Sequence, residues 1–227
     1  MLSRRKLLGG FLAAGGLAGC ATDSNSSNST MMLVVKSVAS PSVPRGAYPL
    51  SEAQIHELPY ATLGVQVGEG QKAVMVLANQ DGRNLKWVAA DGVVFVTNGG
   101  RLLSTQGLPR NLLETRWLEE AGDPLRSVAP PDAVPARGVY REVDLNHEQA
   151  IAVESRFEFR REETITILGR ERPTLRVDET AIVRAWRWET RNSFWIDPQS
   201  GRVWRSIQQY CPEVPPIKLE MLKPASV

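Results

Sequence analysis

The sequence is poor in the residue types that build metal sites and disulfide frameworks. Its 227 residues include only two cysteines and two histidines, too few for a disulfide scaffold or a Cys/His zinc site. The charge is nearly balanced, with 27 Lys and Arg against 25 Asp and Glu, whereas dedicated nucleic-acid binders carry a strong basic excess. We therefore expect no metal site, no resident cofactor and no nucleic-acid partner.

The sequence signatures of common catalytic sites are also missing. It has no Gly-x-Ser-x-Gly elbow, no phosphate-binding loop and no His-Glu-x-x-His motif. Acidic residues are plentiful, so the composition is compatible with the pair of catalytic carboxylates that a glycosidase uses. Glu154, Glu158 and Asp178 alternate with arginines, however, which favours cross-strand ion pairs. We predict a protein without enzymatic activity and keep a glycan-modifying enzyme as the less favoured alternative.

The amino terminus, residues 1–19, has the pattern of a bacterial lipoprotein signal peptide. A basic start is followed by an apolar stretch from Leu7 to Gly19, and thirteen residues are too few to span a bilayer. Leu17-Ala18-Gly19-Cys20 resembles a lipobox, in which the cysteine thiol receives a diacylglycerol group. Ser3 to Leu8 also resembles a twin-arginine motif, so export by the Sec or the twin-arginine route stays open.

Lipidation of Cys20 would decide where the mature chain resides. Its acyl chains suffice for stable anchoring, and Ala21 stands where an Asp would favour inner-membrane retention. We therefore expect the periplasmic face of the outer membrane. Residues 20–50 are predicted to be the lipidated cysteine and a flexible tether, and residues 51–227 a single β domain. Cys211 would then have no disulfide partner and is expected to be a small buried residue.

From Tyr60 onward the apolar residues alternate with a period of two, which is typical of strands. Turn dipeptides separate these runs, and Asn98-Gly99-Gly100 predicts a tight hairpin. One short helix is expected at residues 112–118, after Pro109. Roughly a dozen strands without crossover helices predict a mainly β fold: an antiparallel, strongly curved sheet or open barrel with one or two short helices.

Tryptophan and arginine residues are concentrated near the carboxyl end. Tryptophan rings stack on the apolar faces of sugars, and guanidinium groups pair with carboxylates or phosphates. For most of these tryptophans taken singly, burial in the core is the stronger expectation. The candidate glycan or partner surface consists of Trp186, Trp188, Arg191, Trp195, Trp204 and Arg205.

A series of short motifs extends over about residues 52–225. The motifs are Leu58-Pro59-Tyr60-Ala61, Gly70-Gln71, Lys86-Trp87, Asn98 to Leu103, Asn111 to Glu114, Asp123-Pro124-Leu125, Asn192 to Asp197, Ser200 to Val203, Ser206, Gln208 and Glu220 to Pro224. Through their order rather than through any single motif, they resemble the YjbF/GfcB family of group 4 capsule lipoproteins. The resemblance implies a mainly β fold and an accessory role in capsule or exopolysaccharide export or assembly. It also implies an outer-membrane β-barrel and a soluble periplasmic protein as partners, and it supplies no catalytic residues.

A second alternative function concerns lipids. The segment from Trp195 to Gly201 resembles a turn of LolA-type lipoprotein carriers, whose half-open barrels hold acyl chains. This is an analogy of fold. A lipid or glycolipid carrier would require a deep apolar concavity. The favoured expectation is a non-enzymatic component that binds a β-barrel partner or the polysaccharide.

Overall fold

The structure is a computed structural model that describes residues 46–120, 122–127 and 138–225. The predicted signal peptide, Cys20 and the tether up to residue 45 lie outside these residues. One short helix, α1 (Glu52–Glu57), is followed by twelve strands in one sheet, and every pair of hydrogen-bonded neighbours is antiparallel. The strands are β1 Thr62–Val67, β2 Ala73–Asp81, β3 Asn84–Val88, β4 Val94–Asn98, β5 Arg101–Gln106, β6 Leu112–Trp117, β7 Val139–Leu145, β8 Glu148–Ile167, β9 Arg170–Val183, β10 Trp188–Ile196, β11 Val203–Gln208 and β12 Ile217–Lys223.

The sheet curls into a nearly closed barrel, which confirms the predicted fold class. The strand order is β5-β4-β3-β2-β1-β12-β11-β10-β9-β8-β7-β6, so only the β1–β12 pair joins strands that are distant in sequence. Edge strands β5 and β6 meet at a seam. There the Leu112 N–H donates to Thr105 Oγ1 (2.9 Å) and Thr115 Oγ1 donates to the Leu103 carbonyl (3.2 Å). Side chains thus protect the two edges where ladder bonds end.

Because the strands run alternately up and down, their turns alternate between two ends of the barrel. The β2–β3, β4–β5, β8–β9 and β10–β11 turns lie at one end, which we call the front end. The β1–β2, β3–β4, β5–β6, β7–β8 and β9–β10 connections lie at the opposite, rear end. The predicted Asn98-Gly99-Gly100 hairpin is the β4–β5 turn, with both glycines at positive φ (55° and 81°).

The prediction of a short helix at residues 112–118 is wrong. Leu112–Trp117 is strand β6, whose Leu112 is buried opposite Leu145 of β7. Pairing with β7 outweighs the weak helical spacing of the leucines. The α-helix of the described chain lies earlier, at Glu52–Glu57, where Ser51 and Gln54 form a reciprocal capping box.

The barrel interior is filled with side chains in layers. A large apolar cluster toward the rear contains Trp87 and Phe95, which are almost fully buried. A smaller one toward the front contains Phe194 and Ile196, and Leu125 packs against it from the 3₁₀ turn Pro124–Ser127. Tight filling of this kind leaves little room for a guest chain in the described interior.

Buried charges lie between the two apolar clusters, and we call this group the charged layer. Glu179 receives hydrogen bonds from Arg101 Nη1 (2.9 Å) and Asn192 Nδ2 (2.9 Å) and also pairs with Arg141. Asp123 pairs with Arg101 from the other side. Burial opposes ionisation of Glu179, but the charges of Arg101 and Arg141 outweigh it and hold its pKa well below its usual range. Two arginines and two carboxylates make the layer formally neutral.

The outer face of β1, β2, β11 and β12 is covered by α1 and the segment before it. Ile55 of the helix is fully buried in this cover. Tyr48 packs on Gly64, where a Cβ would overlap its ring, and its hydroxyl donates to Glu220 Oε2. Lys72 Nζ lies 4.7 Å from the centre of the Tyr48 ring. The chain therefore enters the described barrel along its outer face.

Candidate functional site

The structure divides the six sequence-predicted site residues among three places. Trp186 and Trp188 lie at the rear end, where Trp186 belongs to a 3₁₀ turn (Arg184–Trp186) and only Trp188 to a strand. Trp195, Trp204 and Arg205 lie on the front half of the outer face. Arg191 is exposed on β10 and pairs with no carboxylate among the described residues. The six residues therefore do not form one continuous surface.

The two rear tryptophans pack over the rear end of the barrel and do not line a binding site. Their ring centres are 6.2 Å apart, and the guanidinium carbon of Arg110 lies 5.7 Å from the centre of the Trp186 ring. Trp186 Nε1 donates to Glu148 Oε2 (3.0 Å), and Arg110 pairs with both Glu148 and Glu213. The charge of Arg110 is therefore paired with carboxylates, and the rings of Trp186 and Trp188 pack against the rear apolar cluster.

Cys211 lies in the same rear region and is fully buried in the apolar cluster. Burial raises the pKa of its thiol to about 11, so almost no thiolate exists at neutral pH. The residue acts as a small apolar filler. The described residues contain no group of three or more His, Cys, Asp or Glu side chains that could hold a metal ion.

Trp195 and Trp204 on the outer face are covered by arginine side chains. The guanidinium carbons of Arg172 and Arg202 lie 4.0 and 5.2 Å from the centre of the Trp204 ring. Arg176 and Arg205 approach Trp195 at 5.1 and 5.7 Å. Each tryptophan is only 5% exposed. The rings therefore hold arginines in place by cation–π contacts and present little free surface for stacking a sugar.

A cavity of about 290 Å³ opens at the front end beside this tryptophan–arginine cluster, and we call it the front pocket. The tips of the β2–β3, β4–β5 and β10–β11 turns surround it, and Leu63, Leu85, Leu219 and Met221 are among its apolar lining residues. Its lining also contains Arg83, Arg202 and Arg205 but no Asp or Glu. Among the described residues, this pocket therefore combines an apolar lining with three arginines and no acidic lining residue.

The three arginines of the front pocket differ in how their charges are balanced. Arg205 pairs with Glu220 (2.6 Å), which Lys218 Nζ also approaches (3.1 Å). Burial raises the pKa of Glu220, but the Tyr48 hydrogen bond and these cations leave it below the usual value. Arg83 and Arg202 form no ion pair with any described carboxylate. Two guanidinium charges at this mouth are consequently not neutralised by any carboxylate within residues 46–120, 122–127 and 138–225.

The β10–β11 turn has a local sequence that fixes the position of Arg202. The Asp197 carboxylate accepts the backbone N–H groups of Gln199 (2.8 Å) and Ser200 (3.0 Å) and the Trp204 Nε1–H (3.1 Å). Burial opposes ionisation of Asp197, but these hydrogen bonds lower its pKa overall. Gly201 follows at φ 68° and turns the chain back into β11. The Asp197 carboxylate therefore binds groups of its own turn and does not pair with Arg202. Arg202 extends from a hairpin that these hydrogen bonds stabilise.

The β4–β5 turn forms the opposite wall and packs directly on β11. Gly100 lies against Val203, and a Cβ at this glycine would overlap the valine side chain. Gln208 Nε2 donates to the Gly100 carbonyl (2.8 Å), while its Oε1 accepts the Leu102 N–H (3.1 Å). These cross-barrel contacts hold two turns of the pocket at a fixed separation.

Comparison with known proteins identifies the family. A family model described as "Group 4 capsule polysaccharide lipoprotein gfcB, YjbF" matches residues 29–222. The chain belongs to this family.

Family relatives in Escherichia coli (strain K12) have similar lengths. The chain is 33% identical over 187 residues to the uncharacterized lipoprotein GfcB, covering 78% of this chain and 82% of that protein. It is 29% identical over 179 residues to the uncharacterized lipoprotein YjbF, covering 78% and 81%. The crystal structure of the hypothetical lipoprotein YmcC from E. coli (K12) superposes with a TM-score of 0.68 at 32% identity, over 78% of this chain and 91% of that one. The sequence-based family resemblance is therefore confirmed.

The front pocket contains two of the predicted residues, Trp204 and Arg205, and adds two arginines that are not part of the predicted surface. These residues, Arg83 and Arg202, share a sequence feature. The sequence contains four Gly-Arg dipeptides, beginning at Gly82, Gly100, Gly169 and Gly201, and all four lie at front-end turns. A search for charge next to turn glycines would have found both residues.

Proposed function

We propose that this family member is a lipid-anchored, non-enzymatic component of capsule or exopolysaccharide export, located on the periplasmic face of the outer membrane. The observation that carries the proposal is the match of residues 29–222 to a family of capsule polysaccharide lipoproteins. The lipobox-like sequence ending at Cys20 supports the anchor. Described residues include no helix long and apolar enough to cross a membrane.

The mechanism that we propose is positioning. The lipid on Cys20 holds the chain at the membrane, and the polar segment after it gives the barrel a limited range. If the predicted tether behaves as a flexible linker over residues 20–45, these 26 residues have a root-mean-square reach of roughly 25–30 Å. The domain would therefore act close to the membrane, where it binds an outer-membrane β-barrel partner, a periplasmic protein of the same export system, or the polysaccharide.

The filled interior is the observation against a lipid carrier. Such a carrier needs a deep apolar concavity, but the described barrel holds large side chains and a neutral charged layer. The front pocket of about 290 Å³ is small and edged by arginines. An acyl chain would also have to cross buried charges to go deeper, which is costly.

Two of the three carboxylates named for the enzyme alternative, Glu154 and Asp178, form ion pairs. Glu154 pairs with Arg156 and Arg184 (2.6 Å each), and Asp178 pairs with Arg176 (3.0 Å). The arginine hydrogen bonds lower the pKa of Glu154 overall. A lowered pKa is the opposite of what a glycosidase general acid requires. These contacts favour the non-enzymatic proposal.

The experiment compares two cysteine variants in a strain that lacks the gene. Wild-type protein, Cys20→Ser and Cys211→Ser are expressed at equal levels, and surface polysaccharide is measured together with membrane fractionation. We expect wild type and Cys211→Ser to restore export and to fractionate with the outer membrane. Cys20→Ser should restore little export and lose acylation.

A crosslinked pulldown of the wild-type protein from envelopes then tests for a β-barrel partner and for bound polysaccharide. Unchanged surface polysaccharide in the deletion strain, with the neighbouring genes expressed, would contradict the proposal. Full export with Cys20→Ser would contradict the anchoring mechanism.

A further inference from the structure

The four Gly-Arg dipeptides lie at front-end turns of the barrel, and two of their arginines pair with carboxylates. Arg101 is buried in the charged layer, and Arg170 pairs with Glu52 of α1 (2.7 Å). Arg202 rests on Trp204 but has no carboxylate partner, and Arg83 has no partner at all among the described residues. Arg83 and Arg202 are not the only described arginines without a carboxylate, but these two line the same pocket, where one anionic group would balance both charges.

The remaining lining of the front pocket suits a sugar ring. Leucine, methionine and valine side chains offer an apolar surface to ring C–H groups, as sugar sites do. Gln80, Thr97 and Ser200 add neutral side chains that can hydrogen-bond hydroxyl groups. Thr97 Oγ1 accepts the Trp87 indole N–H (2.9 Å), so its own hydroxyl hydrogen is available to donate.

The size of the pocket limits the ligand. A volume of about 290 Å³ corresponds to roughly ten water molecules at about 30 Å³ each. One sugar unit with its substituents has a similar number of non-hydrogen atoms, whereas a phospholipid has several times more. The opening lies between turn tips, so a polymer can pass across the mouth while one unit enters.

Resting on the proposed function, we propose that the front pocket binds one acidic sugar unit of the polysaccharide, with its carboxylate held by Arg83 and Arg202. Planar guanidinium groups match a carboxylate in a bidentate geometry. The apolar lining would contact the ring face, and the neutral side chains would bind hydroxyls. Arg205, neutralised by Glu220, would contribute packing rather than charge.

The binding experiment uses the full-length lipidated protein in a neutral detergent and two acidic probes, tetragalacturonate and a hyaluronan tetrasaccharide. The methyl ester of tetragalacturonate is the matched neutral ligand. Titration calorimetry is performed on wild type, Arg83→Gln and Arg202→Gln. The control is Arg187→Gln, because Arg187 is exposed at the rear end and likewise has no described ion-pair partner.

We expect at least one acidic probe to bind at least tenfold more tightly than the methyl ester. Arg83→Gln and Arg202→Gln should each weaken that binding about tenfold, since a hydrogen bond to a charged group is lost. Arg187→Gln should change it less than twofold. Affinity should fall as salt is added, because the mouth is open to solvent. Melting temperatures near the wild-type value would show that the variants fold.

Four results of the binding measurements would overturn the proposal. The first is no binding of either acidic probe, and the second is equal binding of the acid and its ester. The third is loss of binding in Arg187→Gln equal to that in Arg83→Gln, which would indicate only a general charge effect. Competition by phosphatidylglycerol micelles, with the same dependence on Arg83 and Arg202, would identify a lipid-headgroup site and would also refute the sugar assignment.

Export measurements separate this inference from the proposed function. If deletion abolishes export and the Arg83→Gln/Arg202→Gln double variant strongly reduces it, both proposals are supported. If deletion abolishes export while the double variant exports normally, the sugar site is refuted and the proposed function stands. If deletion has no effect on export, the proposed function fails whatever the binding data show.

Discussion

The charged layer in the barrel interior allows a quantitative test of the fold, through the substitution Glu179→Gln. Glu179 has no exposed surface and is the carboxylate shared by Arg101 and Arg141. Glutamine keeps the size of the side chain and can still accept from Asn192. What changes is the charge, because the formally neutral layer becomes a buried cation of +1.

The expected loss can be estimated from the geometry. At an effective dielectric constant of about 20, each ion pair in direct contact contributes about 4 kcal/mol of gross attraction. Desolvation of the ions offsets part of this attraction, and removal of one partner of a buried pair usually costs about 3–5 kcal/mol. Since such domains are stable by only about 5–15 kcal/mol, Glu179→Gln should remain folded but lose a large fraction of its stability.

The assay is urea unfolding at pH 7, followed by tryptophan fluorescence. For a slope of about 2 kcal/mol per molar urea, the midpoint of Glu179→Gln should fall by roughly 1.5–2.5 M. The matched control is Glu162→Gln, because Glu162 is exposed on β8 and should change stability by less than about 0.5 kcal/mol. A loss below about 1 kcal/mol in Glu179→Gln would refute the electrostatic reasoning.

A double-mutant cycle separates charge imbalance from general disruption. In Arg141→Met/Glu179→Gln the interior is left with the Arg101–Asp123 pair, which is neutral. The double variant should therefore be more stable than the sum of the single losses predicts, by about 1–3 kcal/mol. Additive losses would show that Arg141 and Glu179 do not interact through their charges.

The pH dependence of the same pair of proteins follows from the lowered pKa of Glu179. A carboxylate whose folded-state pKa lies below its unfolded value of 4.5 contributes stability that is complete above that pH. This contribution is lost as the pH falls from 4.5 toward the folded-state pKa. Unfolding curves between pH 7 and pH 3 should therefore show a steeper acid decline for wild type than for Glu179→Gln.

Three further substitutions or modifications test packing. Gly64→Ala should cost about 1–3 kcal/mol in urea unfolding because its Cβ overlaps the Tyr48 ring, and the cost should largely disappear in a Tyr48→Ala background. Cys211 should resist iodoacetamide at pH 8 in the folded protein, because it is buried with a pKa of about 11, and react once urea unfolds the chain; rapid labelling of the native protein would disprove its burial. Gly100→Ala should destabilise the protein more than Gly99→Ala, since both have positive φ but only Gly100 faces a close side chain; equal losses would mean that backbone strain alone decides.

Most of the fold could be predicted because each hairpin is specified locally. Period-two alternation marks the strands, and glycine at positive φ marks the turns. Strand β6 was one exception, because Leu112, Leu113 and Leu118 fit a helical spacing as well as an edge strand. Burial of Leu112 with exposure of Leu113 and Leu118 is decided by the neighbouring β7, and the residues of β6 alone contain no such information.

The candidate site was harder to predict because residues that are close in sequence do not stay close on a barrel. On β10, alternation places Phe194 in the interior and Trp195 on the outer face. The bend at Arg184–Trp186 then leaves Trp186 at the opposite end of the barrel. Arg83 and Arg202 are far apart in sequence, and the pairing of β1 with β12 in the curved sheet brings their turns to one pocket.

The four Gly-Arg turns show how one local motif acquires different roles from the strand that follows it. At Gly100 the next residue enters the barrel, so Arg101 becomes part of the charged layer. That layer holds the start of β5, and the adjoining Gly100 packs on β11 beside the front pocket. The interior ion pairs thus fix the β4–β5 turn, which lies opposite Arg202 in the front pocket. Because these contacts do not depend on a ligand, binding in the front pocket requires little reorganisation of the barrel.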